Sequence, residues 1–229
     1  MSDFQSTNIL RGGANMDVSK RLIIVGFSGF GKEVYWLAHR LGITVFGFLD
    51  DNPAVQGLTY RGSPVLGAVD NWVNYPDCSF VIAVGNPRIR KKIHEKISMS
   101  GMPQFATLID PSVVVNSEFV TIGQGSIICA GTILTVDIVV GAHVIINLNC
   151  TIGHDVVIGD FVTVAPLVAV SGNVNLSDCC EVGTGASIRQ GVTMAQGSML
   201  GMGGVLTKNV SENTVFFGNP AKAFKTIAD

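Results

Sequence analysis

Aliphatic residues recur at every sixth position through the second half of the chain. Fifteen successive positions in one register, from Ile122 to Leu206, hold Ile, Val, Leu or Met. A period of six matches neither the 3.6-residue period of a helix nor the alternation of an ordinary strand. It is typical of a hexapeptide β-helix, in which three short strands form one triangular coil. The fifteen hexapeptides predict about five coils, although the repeat alone leaves a different kind of β-solenoid open.

Two other positions of each hexapeptide agree with this interpretation. The fourth residue after each aliphatic is small or β-branched, which suits a narrow, close-packed interior. The residue directly after the aliphatic is often glycine, as at Gly123 and Gly153. We expect these glycines to let the backbone turn each corner of the coil.

The first half of the chain alternates between strand and helix patterns. Apolar strands are predicted at 21–25, 45–49 and 80–84, and helices follow the first and third of them. The order βαββα predicts a Rossmann-like α/β domain.

These patterns divide the chain into three parts. The Rossmann-like domain is expected over residues 20–104, and the solenoid with its C-terminal tail over 105–229. Residues 1–19 are polar and aperiodic, and they are predicted to form a flexible arm.

The turn after the first strand is a candidate phosphate site. It runs from Gly26 to Gly31, and a strand, glycine-rich turn and helix in this order present backbone N–H groups to an anion. The spacing is GxxGxG rather than the dinucleotide pattern GxGxxG, and such turns also serve packing alone. Asp50 and Asp51 follow the second strand, where such folds meet a ribose or base, unless they form an ordinary turn.

Composition narrows the classes of function. Net charge is −2, so we expect no nucleic-acid partner. The basic residues at 88–92 are interpreted as a solvated helix face rather than an anion site. Five cysteines without CxxC spacing argue against a disulfide framework or a zinc site. With no membrane-spanning apolar run and no signal-peptide pattern, a cytoplasmic protein without a membrane partner is expected.

His154 and Asp155 stand out in a solenoid that is poor in charge. A histidine beside a carboxylate is the minimum for general-base catalysis at neutral pH, although a lone surface histidine at a corner is the alternative. His143 is the other solenoid histidine, so a three-histidine metal site is not expected.

The chain resembles the left-handed β-helix acyltransferases that act on nucleotide-linked amino sugars. It is most similar to the N-acetyltransferases of the bacillosamine and perosamine pathways and to sialic acid O-acetyltransferases, over about residues 20–225. The resemblance is carried by residues 26–33, 48–52, 83–86, Asn147, His154-Asp155, 171–173 and 217–222.

The resemblance implies a role for each motif. The catalytic set would comprise His154 as base, Asp155 as its acidic partner, Asn147 lining the same site, and Gly172, whose N–H faces the thioester carbonyl. Contacts to the nucleotide sugar are implied at Ser28, Gly29, Phe30, Gly31, Asp50, Asp51, Gly85 and Asn86. Contacts to acetyl-CoA, in a groove between the solenoids of a homotrimer, are implied at Thr163, Gly172, Lys208, Pro220 and Lys222.

Two positions depart from the family pattern. Phe30 stands where many relatives have histidine in the glycine-rich turn, so a polar contact to the diphosphate or sugar is missing there. Thr163 replaces a histidine that some relatives have near the thioester. The left hand of the coil is also implied by the resemblance, because periodicity fixes no hand.

The expected function is acetyl-CoA-dependent N-acetylation of the 4-amino group of a nucleotide-linked 4-amino-4,6-dideoxy sugar, for surface polysaccharide or glycan synthesis. The alternatives are O-acetylation of a sialic-acid-like sugar and a non-catalytic nucleotide-sugar-binding scaffold. Acetyl-CoA is the expected cosubstrate, with no metal. The sequence does not specify the nucleotide or the sugar.

Overall fold

The computed structural model describes residues 9–10 and 21–227. After a short strand at Ile9–Leu10, the chain builds a small α/β unit. That first strand, β1 (Ile9–Leu10), pairs with the second half of the chain. The elements of the α/β unit are β2 (Leu22–Val25), α1 (Gly29–Arg40), β3 (Val45–Leu49), β4 (Thr59–Tyr60), β5 (Ser63–Pro64), β6 (Ser79–Ile82), α2 (Pro87–Ser98) and β7 (Gln104–Phe105), with short 3-10 helices at Pro53–Val55 and Val69–Asn74.

Four parallel strands form the sheet of the α/β unit in the order β3-β2-β6-β7. One apolar cluster packs on each face, with α1 on one side and α2 on the other. The loops after β2, β3 and β6 meet at the carboxyl edge of the sheet, where open α/β folds bind ligands. The expected Rossmann-like domain is present, with its third strand at Ser79–Ile82 instead of residues 80–84.

The second half is a left-handed parallel β-helix of about six turns. Its strands are β8 (Thr107–Ile109), β9 (Val120–Ile122), β10 (Ile127–Ile128), β11 (Ile133–Leu134), β12 (Ile138–Val140), β13 (Ile145–Ile146), β14 (Thr151–Ile152), β15 (Val157–Ile158), β16 (Thr163–Val164), β17 (Ala169–Val170), β18 (Asn175–Leu176), β19 (Glu181–Val182), β20 (Ser187–Ile188), β21 (Thr193–Met194), β22 (Met199–Leu200), β23 (Val205–Leu206), β24 (Thr214–Gly218) and β25 (Ala221–Thr226).

Successive strands fall on three sides of a triangular prism. We name them sheet A (β8 to β24 through β10, β13, β16, β19 and β22), sheet D (β11, β14, β17, β20, β23) and sheet E (β9, β12, β15, β18, β21). Thr151 pairs with Ala169 and Ala169 with Ser187, so one coil takes 18 residues. The five expected coils are extended to about six because β8 starts the solenoid ahead of the repeat.

The interior of the prism confirms the hexapeptide pattern. The sixth-position aliphatics and the small residues four positions later form one continuous buried cluster. Ile122, Ile152 and Leu206 are each no more than 2% exposed. Val144, Cys150 and Val156 fill the corners between them and are fully buried.

The corner glycines have a different role from the one expected. The left-handed backbone conformation falls three residues after each aliphatic, for example at Asn149 and Asp155. Gly123 and Gly153 do not adopt it. A Cβ at either position would lie 2.4–2.7 Å from the backbone of the next coil. These glycines therefore allow close stacking of coils, and they do not supply the turn.

The α/β unit lies against sheet A. Outward-facing Ile127 and Ile145 are buried in the same cluster as α1 and one face of the small sheet. Arg40 on α1 forms a bidentate ion pair with buried Asp110, with N–O distances of 2.6 and 2.9 Å. Sheets D and E have no such cover within the described chain.

The expected arm at 1–19 mostly lies outside the described residues. Ile9–Leu10, however, pairs in parallel with Thr107–Leu108. The flexible arm at 1–19 stays a prediction, with this backbone pairing at two of its residues. Without this pairing β8 would be an open edge strand, and unpaired backbone groups at such an edge favour pairing.

Candidate active site

His154 and Asp155 form a hydrogen-bonded pair at the corner between sheets D and E. The His154 Nδ1 atom lies 2.7 Å from the Asp155 Oδ2 atom. Both side chains are about half exposed, at 51% and 52%. The pair therefore has the two features that a general base needs, an oriented imidazole and access to a substrate.

Gly172 lies directly beneath the His154 ring, one coil further on. A Cβ at Gly172 would lie 2.4 Å from His154 Nε2, so any larger residue would displace the imidazole. The Asn173 N–H donates to the His154 carbonyl at 2.8 Å and fixes the two coils in register. Among the residues that the structure describes, the Gly172 N–H has no acceptor. The predicted association of His154, Asp155 and Gly172 is thus present in the geometry.

The same corner carries polar residues in the next coils. With 18 residues per coil, His154 and Gly172 are followed by Gln190 and then by Lys208. Arg189, beside Gln190, is exposed as well. Coils are spaced about 4.8 Å apart, so Lys208 lies about 14 Å from His154 along one edge. The sequence analysis missed Arg189, which an 18-residue spacing from Gly153 and Ser171 would have revealed.

Asn147 and Thr163 do not join His154 within the chain. Asn147 occupies the corner between sheets A and D, and its Oδ1 atom accepts from the Leu148 N–H. Thr163 is buried on sheet A, where its hydroxyl donates to the Gly85 carbonyl and accepts from Arg90. The α/β unit covers the Thr163 side chain, and the acetyl-CoA contact implied there stays a prediction.

The glycine-rich turn gives α1 an accessible N-terminus. Ser28 caps the helix by accepting from the Gly31 N–H, and Ser28 and Gly29 are exposed. Gly31 is buried, and a Cβ there would lie 2.0 Å from the Gly26 carbonyl. Gly31 therefore serves close packing of helix on strand, while Phe30 packs against the apolar cluster. The ligand contacts implied at Gly31 and Phe30 stay predictions.

Asp50 and Asp51 both accept hydrogen bonds from neighbouring groups of the protein, and the Asp51 side chain is half exposed. Asp50 accepts from the Phe27 N–H at 2.7 Å and from the Asn52 N–H at 2.8 Å. Asp51 accepts from the Val69 N–H and pairs with Lys96 at 3.0 Å. The two carboxylates hold the loops at the carboxyl edge of the sheet in place. This is what the alternative interpretation from the sequence, an ordinary turn, predicts. Each carboxylate oxygen keeps a second lone pair, so the nucleoside contact implied at Asp50 and Asp51 stays a prediction.

Gly85 and Asn86 follow β6 and are exposed beside the turn after β2. Asn86 caps α2 by accepting from the Ile89 N–H at 3.0 Å. The Gly85 carbonyl accepts from Arg90 and Thr163, which ties this loop to the solenoid. Five of the implied nucleotide-sugar residues are exposed, namely Ser28, Gly29, Asp51, Gly85 and Asn86.

Arg90 shows that the basic cluster on α2 is not a solvated face. Its side chain is 1% exposed and donates to backbone carbonyls of both domains, including those of His143, Val84 and Phe161 at 2.6–2.9 Å. Burial lowers its pKa to about 10, so the guanidinium stays charged at neutral pH. Arg88 also binds the solenoid, at the Gly197 carbonyl. Only structure separates these arginines from their solvated neighbours.

A buried ring cluster surrounds His143 at the same junction. His143 stacks on Phe161 at 5.2 Å and contacts His94 and Phe105. Its two ring nitrogens have no hydrogen-bond partner, and burial lowers its pKa to about 3. The described residues hold no group of three metal-ligating side chains. No helix in the described ranges is long and apolar enough to cross a membrane.

This architecture is similar to that of acetyltransferases of known structure. The family described as the PglD N-terminal domain matches residues 21–97. The acetyltransferase domain of PglB from Neisseria gonorrhoeae FA1090 is 33% identical with a TM-score of 0.81, over 90% of this chain and 100% of that one. PerB from Caulobacter crescentus, solved with CoA and GDP-perosamine, is 27% identical with a TM-score of 0.82, over 93% and 100%.

A curated relative is UDP-N-acetylbacillosamine N-acetyltransferase of Bacillus subtilis (strain 168), 34% identical over 114 residues. The match spans 48% of this chain and about half of that relative, 52%. The chain belongs to the left-handed β-helix, hexapeptide-repeat acyltransferase family that includes the nucleotide-sugar N-acetyltransferases.

Proposed function

We propose that this chain transfers an acetyl group from acetyl-CoA to the 4-amino group of a nucleotide-linked 4-amino-4,6-dideoxy sugar. The observation that carries the proposal is the His154–Asp155 pair placed over Gly172. Family membership supports it, as do the neighbours solved with acetyl-CoA and with CoA and GDP-perosamine. The product would serve surface polysaccharide or glycan synthesis.

His154 acts as the general base in this proposal. Asp155 holds Nδ1, which leaves Nε2 free to accept the proton that the amine loses as it attacks the thioester carbonyl. Asp155 also stabilises the imidazolium that forms. The C–N bond forms as the C–S bond breaks, and coenzyme A leaves as the thiolate or thiol.

Gly172 supplies the oxyanion contact. Its N–H has no acceptor among the described residues and lies next to the imidazole, so it can donate to the developing charge on the thioester oxygen. One such donor is worth about 3 kcal/mol of the barrier. Holding amine and thioester in line supplies much of the remaining acceleration.

The edge that runs from His154 to Lys208 suits an extended coenzyme. With the thioester at Gly172, the pantetheine arm would follow the coils, and the cations Arg189 and Lys208 would meet its phosphates. Lys222 and Pro220 are exposed on the terminal hairpin, β24 and β25, and are the remaining candidates for coenzyme contacts.

Two copies are needed to complete the site in this proposal. The α/β unit covers sheet A, whereas His154 lies at the corner opposite sheet A. Ser28 and Gly29 therefore stand apart from the His154 of their own chain. Ile133, Val139 and Val157 expose 39–46% of their surface on the free sheets D and E, where another copy can pack. A closed homotrimer that places each α/β unit beside a neighbouring His154 satisfies this geometry.

The buried, unpaired state of all five cysteines agrees with a reducing compartment, and we propose that the enzyme works in the cytoplasm.

A thiol-release assay tests the proposal. Acetyl-CoA is presented with a panel of nucleotide-linked 4-amino and 4-hydroxy sugars, and release with an amino sugar is expected. His154→Ala should lower turnover by about 10² to 10⁴, while the control Lys92→Ala, at an exposed lysine of α2, retains activity. Release only with hydroxyl acceptors would move the activity to O-acetylation. Full turnover in His154→Ala would remove His154 from the base role.

A further inference from the structure

Two consecutive carbonyls of the loop between β6 and α2 are held by buried side chains. The Val84 carbonyl accepts from Arg90 at 2.6 Å. The Gly85 carbonyl accepts from Arg90 at 3.0 Å and from the Thr163 hydroxyl at 2.7 Å. Arg90 and Thr163 are only 1% and 8% exposed, so water competes little for these bonds. The loop itself is exposed at Gly85 and Asn86.

The held carbonyls fix the direction of the two N–H groups that follow them. In a planar trans peptide the C=O and the N–H point in opposite directions. The Val84 carbonyl shares its peptide plane with the Gly85 N–H, and the Gly85 carbonyl shares its plane with the Asn86 N–H. Both N–H groups are therefore turned away from Arg90 and Thr163, and neither has an acceptor within the described part of the chain. Two adjacent free N–H groups can donate together to one anion.

Thr163 joins this loop directly to the solenoid. It lies on β16, and its hydroxyl also accepts from Arg90 at 2.9 Å. Arg90 in turn donates to the Phe161 carbonyl of the same coil at 2.7 Å. The orientation of the peptide between Gly85 and Asn86 is therefore set by a strand that lies 78 residues away in the chain.

We propose that Thr163 is a positioning residue for the nucleotide-sugar substrate. Its hydroxyl holds the Gly85–Asn86 peptide so that the two free N–H groups face the diphosphate before the substrate arrives. A loop that is ordered in advance does not have to be ordered on binding, and affinity rises accordingly. Thr163 acts through the loop, without contact to the substrate. This inference rests on the proposed function, because it takes a nucleotide sugar as the substrate and the loop as one of its contacts.

Thr163→Val removes the hydroxyl and keeps a β-branched side chain in the strand. The Gly85 carbonyl retains its bond to Arg90, and Arg90 retains its other carbonyl acceptors, so no buried group loses its last partner. The variant should therefore fold. Thr163→Ser keeps the hydroxyl and is the conservative rescue. Thr107→Val is the matched control, because Thr107 is 1% exposed on the same sheet and its hydroxyl donates to a carbonyl of the solenoid instead of the loop.

Calorimetric titration of the full-length chain with UDP, GDP and dTDP, and separately with coenzyme A, measures the effect. We expect one nucleoside diphosphate to bind the wild type, and to bind Thr163→Val about tenfold more weakly. Thr163→Ser and Thr107→Val should bind it within about twofold of the wild type. Coenzyme A should bind all four proteins equally, which also shows that the variants are folded.

Kinetics give a second readout once thiol release has identified the amino sugar. Thr163→Val should raise the KM for that sugar about tenfold and leave kcat within about twofold, since the lost interaction serves binding and not the chemical step. A general loss of structure would instead lower the fraction of active enzyme and with it kcat.

Three outcomes would count against the proposal. If Thr163→Val binds the nucleoside diphosphate as tightly as the wild type, or if Thr163→Ser loses as much affinity as Thr163→Val, the positioning role is wrong and the proposed function stands. Weaker binding of coenzyme A by Thr163→Val would also overturn it, because Thr163 would then contact the coenzyme. If no nucleoside diphosphate binds the wild type while coenzyme A does, the nucleotide-sugar substrate fails, and the proposed function fails with it.

Discussion

At the scale of single residues, the position of the His154 ring requires a glycine at position 172. A methyl group there would come within 2.4 Å of His154 Nε2, and the ring must swing away from its place over the thioester. We predict that Gly172→Ala keeps the fold and loses at least about tenfold in kcat, since a misplaced base costs orders of magnitude. Steady-state kinetics with circular dichroism measures both. Lys92→Ala, at an exposed lysine of α2, is the control, and unchanged kcat in Gly172→Ala would contradict the packing argument.

His143 makes stability depend on pH. Burial lowers its pKa to about 3 in the folded chain, against an ordinary value of 6.5. The unfolded chain therefore binds a proton below pH 6.5 that the folded chain does not, and stability falls as the pH drops from 6.5 toward 3. The slope reaches about 1.4 kcal/mol per pH unit.

His143→Phe should remove this loss. Phenylalanine keeps the ring stack on Phe161, has no nitrogens to leave unpartnered, and already occupies the same left-handed corner position at 161. We expect the variant to gain about 2 kcal/mol over the wild type at pH 5, beyond any difference at pH 8. Urea unfolding at the two pH values measures this. Half-buried His94 has a pKa lowered in the same direction, so His94→Phe shows how much of the effect is local. Parallel pH profiles for wild type and His143→Phe would exclude the assignment.

At the scale of elements, α2 is held to the solenoid by one buried cation. Arg90 donates to the carbonyls of His143, Phe161 and Val84, and these acceptors would lose their bond to the guanidinium if it were removed. We predict that Arg90→Met lowers the free energy of unfolding by about 3 kcal/mol or more. Chemical denaturation measures the change. Lys92→Met on the exposed face of the same helix should change stability by less than about 0.5 kcal/mol. An equal effect in both variants would show that Arg90 does not hold the domains together.

Sequence patterns predict secondary structure well where the residues of a repeat all lie in the same environment. The aliphatics of the hexapeptides have a single buried side, so their period gives the solenoid directly. The burial and partners of Arg90 and Thr163 could not be predicted in this way, because the groups around them lie 50 to 80 residues away in the chain. The corner glycines show the same limit, since Gly153 is constrained by the next coil rather than by its own turn. For the candidate site, neighbours in sequence such as His154 and Asp155 were found, whereas Arg189, which reaches the same corner only through the 18-residue coil, was not.

At the scale of the whole molecule, the two functional ends of one chain face different directions. The accessible N-terminus of α1 belongs to the unit on sheet A, and His154 lies at the opposite corner. If the site is shared between copies, each site takes its α/β unit from one chain and its base from the neighbour. Such an enzyme can be inactivated either in the α/β unit or at His154, and two chains that carry different lesions can together form an intact site.

Mixed trimers test this arrangement. Gly29→Asp places a carboxylate at the N-terminus of α1, where it suits the helix dipole yet repels a diphosphate, and a Cβ at this position meets no atom within 4 Å. Gly29→Asp and His154→Ala should each be inactive alone. Co-expressed in equal amounts, they should recover about a quarter of wild-type activity, because about one neighbouring pair in four combines an intact α/β unit with an intact His154. Sites contained within single chains would recover nothing, since every chain carries one of the two lesions. Gly29→Ala, which adds no charge, should stay active and confirm that the lesion is electrostatic.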